Sequence, residues 1–310
     1  MAMPISIQMT EYRIDSTDIQ IMKMLTKDSR VSYRKIALSL DITINTVKRR
    51  MKNLISRKII EEFLVRVKLG PFGYPNVYNL ILKHQRNIEN IRRYLQNLGY
   101  VFMYSNCVGG VSRFALATKN NVDEELSSLH EKIKSVQVID IFGGNWESNF
   151  FFNTNDLKIL KCLLAKPRMK VKEIARAIHV SQKTISRRID AMLSNHVIDF
   201  TIIVNPREMK GYVNAGIFIH VEKQHRKEGT KKIYEEINNL LVLGPPYEDI
   251  DTIGLNLYVQ NMWEIEKIQR NAESLSGFKN VSTILPLHRQ YSHDLLLQEI
   301  DRRIAANTKL

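Results

Sequence analysis

The chain has 310 residues, 44% hydrophobic and 25% charged, and carries a formal net charge of +14 from 46 Lys+Arg against 32 Asp+Glu. That length accommodates two or more domains with their own cores. Such a composition excludes a fibrous or intrinsically disordered chain. No apolar run approaches the roughly 18 residues of a membrane span, and the first residues, Met1 to Arg13, lack the zones of a secretory signal. Two cysteines, Cys107 and Cys162, are too few for a disulfide framework and lack zinc-ligand spacing. A reducing, cytoplasmic setting is expected, with no metal or cofactor. The cationic excess favours a polyanion as partner, because each cation set on a phosphate releases condensed counterions.

In chain order, apolar residues at Ile19, Ile21, Met22 and Leu25 form a helical stripe, with Ser16 as expected N-cap and Asp18 in the first turn. A polar break leads to a second helix over 33–40 capped by Ser32, and a short turn then feeds a third over 44–56 capped by Thr43. The β-rich run 59–67 is expected as a wing, which makes this segment a winged helix-turn-helix. A turn-rich connector, Leu69-Gly-Pro-Phe-Gly-Tyr-Pro-Asn76, precedes strand 77–84, helix 88–97, strand 100–107, a glycine turn at 108–110, strand 113–118, helix 122–135 and strand 138–142. That β-α-β-β-α-β rhythm is a ferredoxin-like module.

The plan then repeats. Residues 18–81 align with 156–219 at a constant offset of 138, and 16 of the 64 pairs are identical, about four times the roughly 6% expected by chance. The second copy reads as helices at 156–164, 171–178 and 181–194, strand 197–204, then strand 215–222, helix 230–240, an edge near 247–252, strand 255–260, helix 263–274 and strand 281–285. A last helix over 294–305 has an apolar stripe at Leu295, Leu296, Ile300 and Ile304, expected to dock on the second module or a partner chain. The fold class is therefore α+β: two winged helix-turn-helix domains at 1–67 and 153–204, alternating with two ferredoxin-like modules at 77–145 and 213–310. Charge is concentrated in the two heads: 13 basic and 7 acidic residues in 1–67, and 10 and 4 in 153–204.

At about 100° per residue, the third helix turns Val47, Met51, Leu54 and Ile55 inward and Asn45, Arg49 and Lys52 outward, with Thr46 beside them and Lys48 and Arg50 on the flanks. Outward Arg and Asn make bidentate contacts to guanine and adenine edges, whereas flanking cations hold phosphates and position the helix. In the second head Lys183 and Arg187 face outward with Asp190, Thr184 lies beside them and Arg188 on a flank. Asp190 stands where the first head has Lys52, so the two heads are expected to read different sequences, or the second to anchor only.

The ordered set Asp18, Ile21, Leu25, Ile36, Ala37, Thr46, Arg49, Arg50, Met51, Ile59, Ile60, Gly73 and Tyr74 resembles the Lrp/AsnC (feast/famine) transcription regulators. So does Asp156, Ile159, Leu163, Ile174, Ala175, Thr184, Arg187, Arg188, Ile189, Val197, Ile198, Asn205, Pro206, Gly211 and Tyr212. The resemblance covers nearly the whole chain, twice. It implies sequence-specific binding of double-stranded DNA, pairing through the α/β modules and, in many members, amino-acid sensing. Members usually carry one unit per chain, so the modules here are expected to pair within the chain as a pseudo-dimer. The glycine turn that the family associates with ligand maps onto Gly109, Gly110 and Gly254, without the acidic residue that commonly follows, and these glycines also suit plain β-turns. Two alternatives stand beside this reading. One is an enzyme similar to siroheme decarboxylases, for which Leu287-His-Arg-Gln-Tyr-Ser-His293 is the most suggestive run, although it also reads as a polar connector. The other is a weakly specific architectural DNA-binding protein.

Overall fold

The computed structural model describes residues 12–85, 88–243 and 252–307. The first half runs α1 (Ser16–Lys27), α2 (Tyr33–Leu40), α3 (Ile44–Ser56), β1 (Ile60–Val67), β2 (Asn76–His84), α4 (Ile88–Leu98), β3 (Tyr100–Cys107), β4 (Val111–Thr118), α5 (Asp123–Ser127), α6 (Leu129–Lys132) and β5 (Val136–Asn145). The second runs α7 (Thr154–Ala165), α8 (Val171–Ile178), α9 (Gln182–Ser194), β6 (Ile198–Val204), β7 (Val213–Val221), α10 (Arg226–Glu236), β8 (Leu241–Val242), β9 (Thr252–Val259), α11 (Met262–Glu273), β10 (Phe278–Ile284), β11 (Pro286–Tyr291) and α12 (Asp294–Asn307). Each half is a three-helix head, a single strand, and an antiparallel sheet with helices. The sheets are ordered β5-β2-β4-β3 and β10-β7-β9-β8, the split βαβ arrangement in both copies, and β11 adds a fifth strand to the first by pairing with β3.

The strand after each third helix does not fold back as a wing of its own head. β1 pairs antiparallel with β6, its copy in the other unit. A lone strand leaves a row of backbone donors and acceptors unmet, and here the other copy meets them. The 138-residue offset carries Phe63 onto Thr201 and Leu64 onto Ile202, and the central pairs are Phe63–Ile202 and Leu64–Thr201. A pseudo-twofold axis therefore passes between them.

This ribbon exchanges the heads. The core of the first head (Ile21, Leu25, Ile36, Val47, Met51) continues into Ile202, Val204, Met209, Leu241 and Tyr258 of the second unit. That of the second head (Leu157, Leu160, Ile174, Ile185, Ile189) continues into Val65, Phe72, Val77 and Tyr100 of the first. The heads also touch directly. The Arg30 guanidinium donates to the Pro167 carbonyl at 2.7 Å and lies over the Phe200 ring. Arg168, its copy, donates to the Val31 carbonyl at 3.4 Å and lies over Tyr33 and Phe63. Below the ribbon the two modules meet where the Phe142 and Phe218 rings approach to 4.7 Å and His220 Nε2 lies 2.8 Å from Asp140 Oδ2.

Other expectations need correction. The helix read over 122–135 is two short ones, α5 and α6, because the Ser127 and Ser128 hydroxyls donate back to the Asp123 and Glu124 carbonyls and compete with the helical ladder. The edge read near 247–252 lies outside the described residues up to Thr252, which opens β9. α12 docks on the second head rather than on the second module. Leu296 and Ile300, both buried, join Leu157 and Leu160 of α7, Lys161 pairs with Asp301 at 2.6 Å, and Arg303 donates to the Pro71 carbonyl at 3.1 Å. No helix among the described residues is long and apolar enough to cross a membrane.

Candidate nucleic-acid interface

The third helix of each head begins on a hydroxyl cap. Thr43 Oγ1 accepts from the Thr46 amide at 3.1 Å, and Ser181 Oγ accepts from the Thr184 amide at 3.2 Å. Thr46 and Thr184 are half-buried, and their hydroxyls lie 2.9 and 3.0 Å from the capping oxygens. Both therefore serve the helix start and point only partly outward. Val47, Met51 and Leu54, and in the second head Ile185, Ile189 and Met192, are buried as the periodicity requires. Ile55, read as core, is 42% exposed, although Leu54 beside it in the last turn is buried.

Asn45, Lys48, Arg49 and Lys52 are exposed on α3, and Lys183, Arg187 and Asp190 are exposed on α9. Among the described residues none of these side chains makes an ion pair or a side-chain hydrogen bond. Their donors and charges are left to solvent or to a ligand. The turn after α3 adds Arg57 and Lys58, where the second head has Asn195 and His196.

Arg50 and Arg188, expected on phosphates, each have an internal carboxylate partner that the sequence reading did not include. Arg50 Nη1 lies 2.8 Å from Asp15 Oδ2 and 3.0 Å from Asp18 Oδ1. Arg188 Nε donates to Asp156 Oδ1 at 2.6 Å and its Nη2 to Asp156 Oδ2. Asp18 and Asp156 are fully buried, while the arginine side chains keep 20% and 23% exposure. A buried carboxylate demands a cation, and the arginine one helix away is the one within reach. The hydrogen bonds that Arg188 donates to Asp156 raise its pKa against its partial burial. At Asp15 burial opposes ionisation, yet the bonds from the Asp18 amide and Arg50 hold the carboxyl below its ordinary range. The signal was present in the sequence: an Asp in the first helix stands 32 residues before an Arg of the third in both copies.

The capping carboxylates correct the first helix as well. Its N-cap is Asp15, not Ser16, in a reciprocal capping box with Asp18. α7 is capped by Asn153 in the same way with Asp156. In the first head Tyr12 donates to Asp18 Oδ2 at 2.6 Å; its counterpart Phe150 has no hydroxyl and lies under Arg188.

Of the glycines, Gly109 and Gly110 take left-handed φ of 77° and 71° in the β3–β4 turn, whose Val108 amide donates to the Leu285 carbonyl at 2.9 Å. Gly254 does not match them. It lies inside β9 opposite Phe218, the counterpart of Leu80, which itself faces Phe114. The insertion between the copies shifted the apparent alignment. The run 287–293 is not a connector but mostly strand β11. His288 is exposed, Arg289 Nη2 donates to Asn256 Oδ1 at 2.6 Å, and burial holds the His293 pKa below its usual range.

The winged helix-turn-helix DNA-binding family matches residues 14–61 and 152–199, two segments separated by the same 138 residues. An uncharacterised HTH-type transcriptional regulator of Pyrococcus horikoshii is 28% identical over 128 residues, 41% of this chain and 84% of the relative. The regulatory protein AsnC of Haemophilus influenzae is 26% identical over 130 residues, 41% of this chain and 87% of the relative. Such relatives therefore span one unit where this chain has two. Among solved structures, a Pyrococcus furiosus transcriptional regulator of the AsnC family is 27% identical, covering 42% of this chain and 89% of its own, with a TM-score of 0.30. The siroheme decarboxylase NirDL is 12% identical, covering 96% of this chain and 100% of its own, with a TM-score of 0.44.

Proposed function

We propose that this chain, a DNA-binding transcription regulator that belongs to the Lrp/AsnC family as a tandem duplication, reads an asymmetric two-part operator with one head on each part. The observation that carries the reading is the pair of exposed third-helix faces, cationic and free of internal partners, that differ at Lys52 and Asp190. α3 enters one major groove with Asn45, Arg49 and Lys52 toward base edges and Lys48 toward phosphate. α9 enters the other with Lys183 and Arg187. Asp190 repels phosphate and accepts from cytosine N4, which biases the second part of the operator. Arg50 and Arg188 hold the helices in place and do not contact DNA. The β1–β6 ribbon and the Arg30 and Arg168 contacts fix the heads relative to one another, so operator spacing is constrained.

The test is selection of bound duplexes from a random pool at roughly 150 mM salt, where nonspecific phosphate binding is suppressed. An enriched site with two unlike parts supports the proposal. Enrichment of a palindrome removes the asymmetry, and tight binding without enrichment replaces reading by coating.

A further inference from the structure

The first residue of each third helix differs between the heads and lies outside both cores of the described residues. On α3 it is Ile44, 42% exposed, directly after the Thr43 cap. On α9 it is Gln182, exposed, directly after the Ser181 cap. The 138-residue offset makes them the same position. The apolar contacts at the two helix starts fall to other side chains. Ile42 and Val47 pack in the core of the first head, and Val180 and Ile185 in that of the second. A polar amide holds this position in one copy with the same cap, so folding does not require a branched apolar side chain there.

An exposed isoleucine by itself is ordinary on a protein surface. What singles this one out is its setting. At about 100° per residue, it lies about 40° around the axis from Lys48 and about 100° from Asn45. Lys48, Asn45 and Arg49 are exposed and, among the described residues, make no ion pair or side-chain hydrogen bond. Ile44 is thus an apolar spot at the leading end of a cationic face. Recognition helices contact base edges with their N-terminal residues, and the apolar group on the major-groove edge of a base pair is the thymine C5 methyl. Gln182 offers the opposite chemistry. Its carboxamide makes no side-chain hydrogen bond among the described residues; the NH2 can donate to adenine N7 while the oxygen accepts from N6.

We propose that Ile44 reads a thymine through its methyl group in the part of the operator under the first head, and that Gln182 reads an adenine at the corresponding place under the second. The inference rests on the regulator reading and adds to it the base that each helix start selects. Thr43 and Ser181 hold the first turns on which these side chains stand. A methyl contact stabilises the complex by taking apolar surface out of water, with little dependence on salt, whereas Lys48 acts through phosphate charge. The two contributions therefore separate in one assay.

The duplex selected by the parent chain is remade with each thymine of the first part replaced singly by uracil, which removes only the C5 methyl. Each adenine of the second part is replaced singly by 7-deazaadenine, which removes only the N7 acceptor. Fluorescence anisotropy at roughly 150 mM salt reads the affinities. One uracil should weaken binding by the parent about threefold or more, the scale of one methyl group left in water. Ile44→Ala should bind the uracil and thymine duplexes alike, and Ile44→Val should keep most of the difference. Both variants should melt with the parent, as exposed substitutions outside a core do, and should keep its salt slope. One 7-deazaadenine should weaken the parent about threefold or more and leave Gln182→Ala indifferent. Absence of a methyl-sensitive thymine, or equal sensitivity in the parent and Ile44→Ala, overturns the role of Ile44. Indifference of the parent to 7-deazaadenine, or a loss that persists in Gln182→Ala, overturns that of Gln182. If the parent chain enriches no duplex, the regulator reading fails and this inference with it; an enriched duplex without these dependences overturns the base assignment alone.

Discussion

Replacing Arg188 by Ala separates two roles that a cation on a third helix can play. The fully buried Asp156 carboxylate accepts from both Nε and Nη2 of Arg188 and from the Asn153 amide. Removing one partner of a fully buried pair costs about 3–5 kcal/mol, because the remaining charge is left uncompensated. Arg188 retains 23% side-chain exposure, so water reaches part of the vacated space and the cost falls to about 2–3 kcal/mol. For 310 residues, an unfolding entropy of roughly 2 cal/mol/K per residue turns that into a melting shift of about 3–5 °C downward.

Lys48→Ala should do the opposite. It removes an exposed side chain with no internal partner, so stability stays within about 0.5 kcal/mol, while affinity falls alike for all duplexes. The slope of log K against log salt should shrink by about one unit for Lys48→Ala and stay unchanged for Arg188→Ala. Calorimetry and salt-dependent fluorescence anisotropy measure the two quantities on the same samples. A double substitution of Arg188 and Asp156 should cost less than the sum of the singles, since no stranded charge remains. The structural assignment is refuted if Arg188→Ala leaves melting unchanged and lowers the salt slope by one.

Four further outcomes are expected. Arg49→Ala should lose about 1–3 kcal/mol of discrimination at one base pair, read by repeating the duplex selection; equal loss on specific and random DNA would falsify its outward role. Inserting about 5 base pairs, half a helical turn, between the operator parts should abolish two-headed binding by the parent chain, and Arg30→Ala with Arg168→Ala should restore some tolerance; footprints indifferent to spacing would show that the heads move independently. Ile300→Ala should destabilise by about 2–4 kcal/mol through the cavity between α12 and α7, and a cost under 1 kcal/mol would mean that α12 is not docked there. Glu299 is held at a pKa of about 2, chiefly by hydrogen bonds from Arg302 and then Arg303 against partial burial. A depressed carboxylate stabilises the fold fully above its ordinary pKa and loses that contribution as pH falls toward 2, so Glu299→Gln should cost on the order of 1 kcal/mol at neutral pH and nothing near pH 2.

Sequence periodicity located α2, α3 and α8 to the residue because their stripes, caps and turns are local. Ser32 and Thr43 cap as read, each from a side chain three residues before its amide partner. What sequence missed is nonlocal. The partner of β1 is more than a hundred residues away, and alternation alone does not distinguish a wing from half of a ribbon. β11 was hidden for a related reason: it joins the sheet of the other unit, and its polar run carries no repeat to align with. The internal partners of Arg50 and Arg188 were missed because helical geometry fixes the direction of a side chain but not whether a buried carboxylate lies within its reach. The exposed face of the third helix was legible because it depends only on which positions the core does not claim.

Comparing the copies position by position shows where the duplication was free to diverge. Asp18 and Asp156, Arg50 and Arg188, Thr46 and Thr184, and Arg30 and Arg168 are identical pairs, and in each pair both members make corresponding contacts within the fold. Asn45 and Lys183, Lys48 and Ser186, and Lys52 and Asp190 differ, and these lie on the outward faces and flanks of α3 and α9. In a homodimer built from two identical chains, every substitution appears on both sides of the twofold axis, so the two reading faces cannot separate. A covalent pair lifts that restriction at every position whose contacts are not shared across the pseudo-axis. Heads whose cores are exchanged through β1 and β6 remain bound to one geometry while their exposed faces vary independently. Arg49 and Arg187, identical and exposed in both heads, are the exception; at the other pairs named, identity goes with internal contacts and difference with external ones.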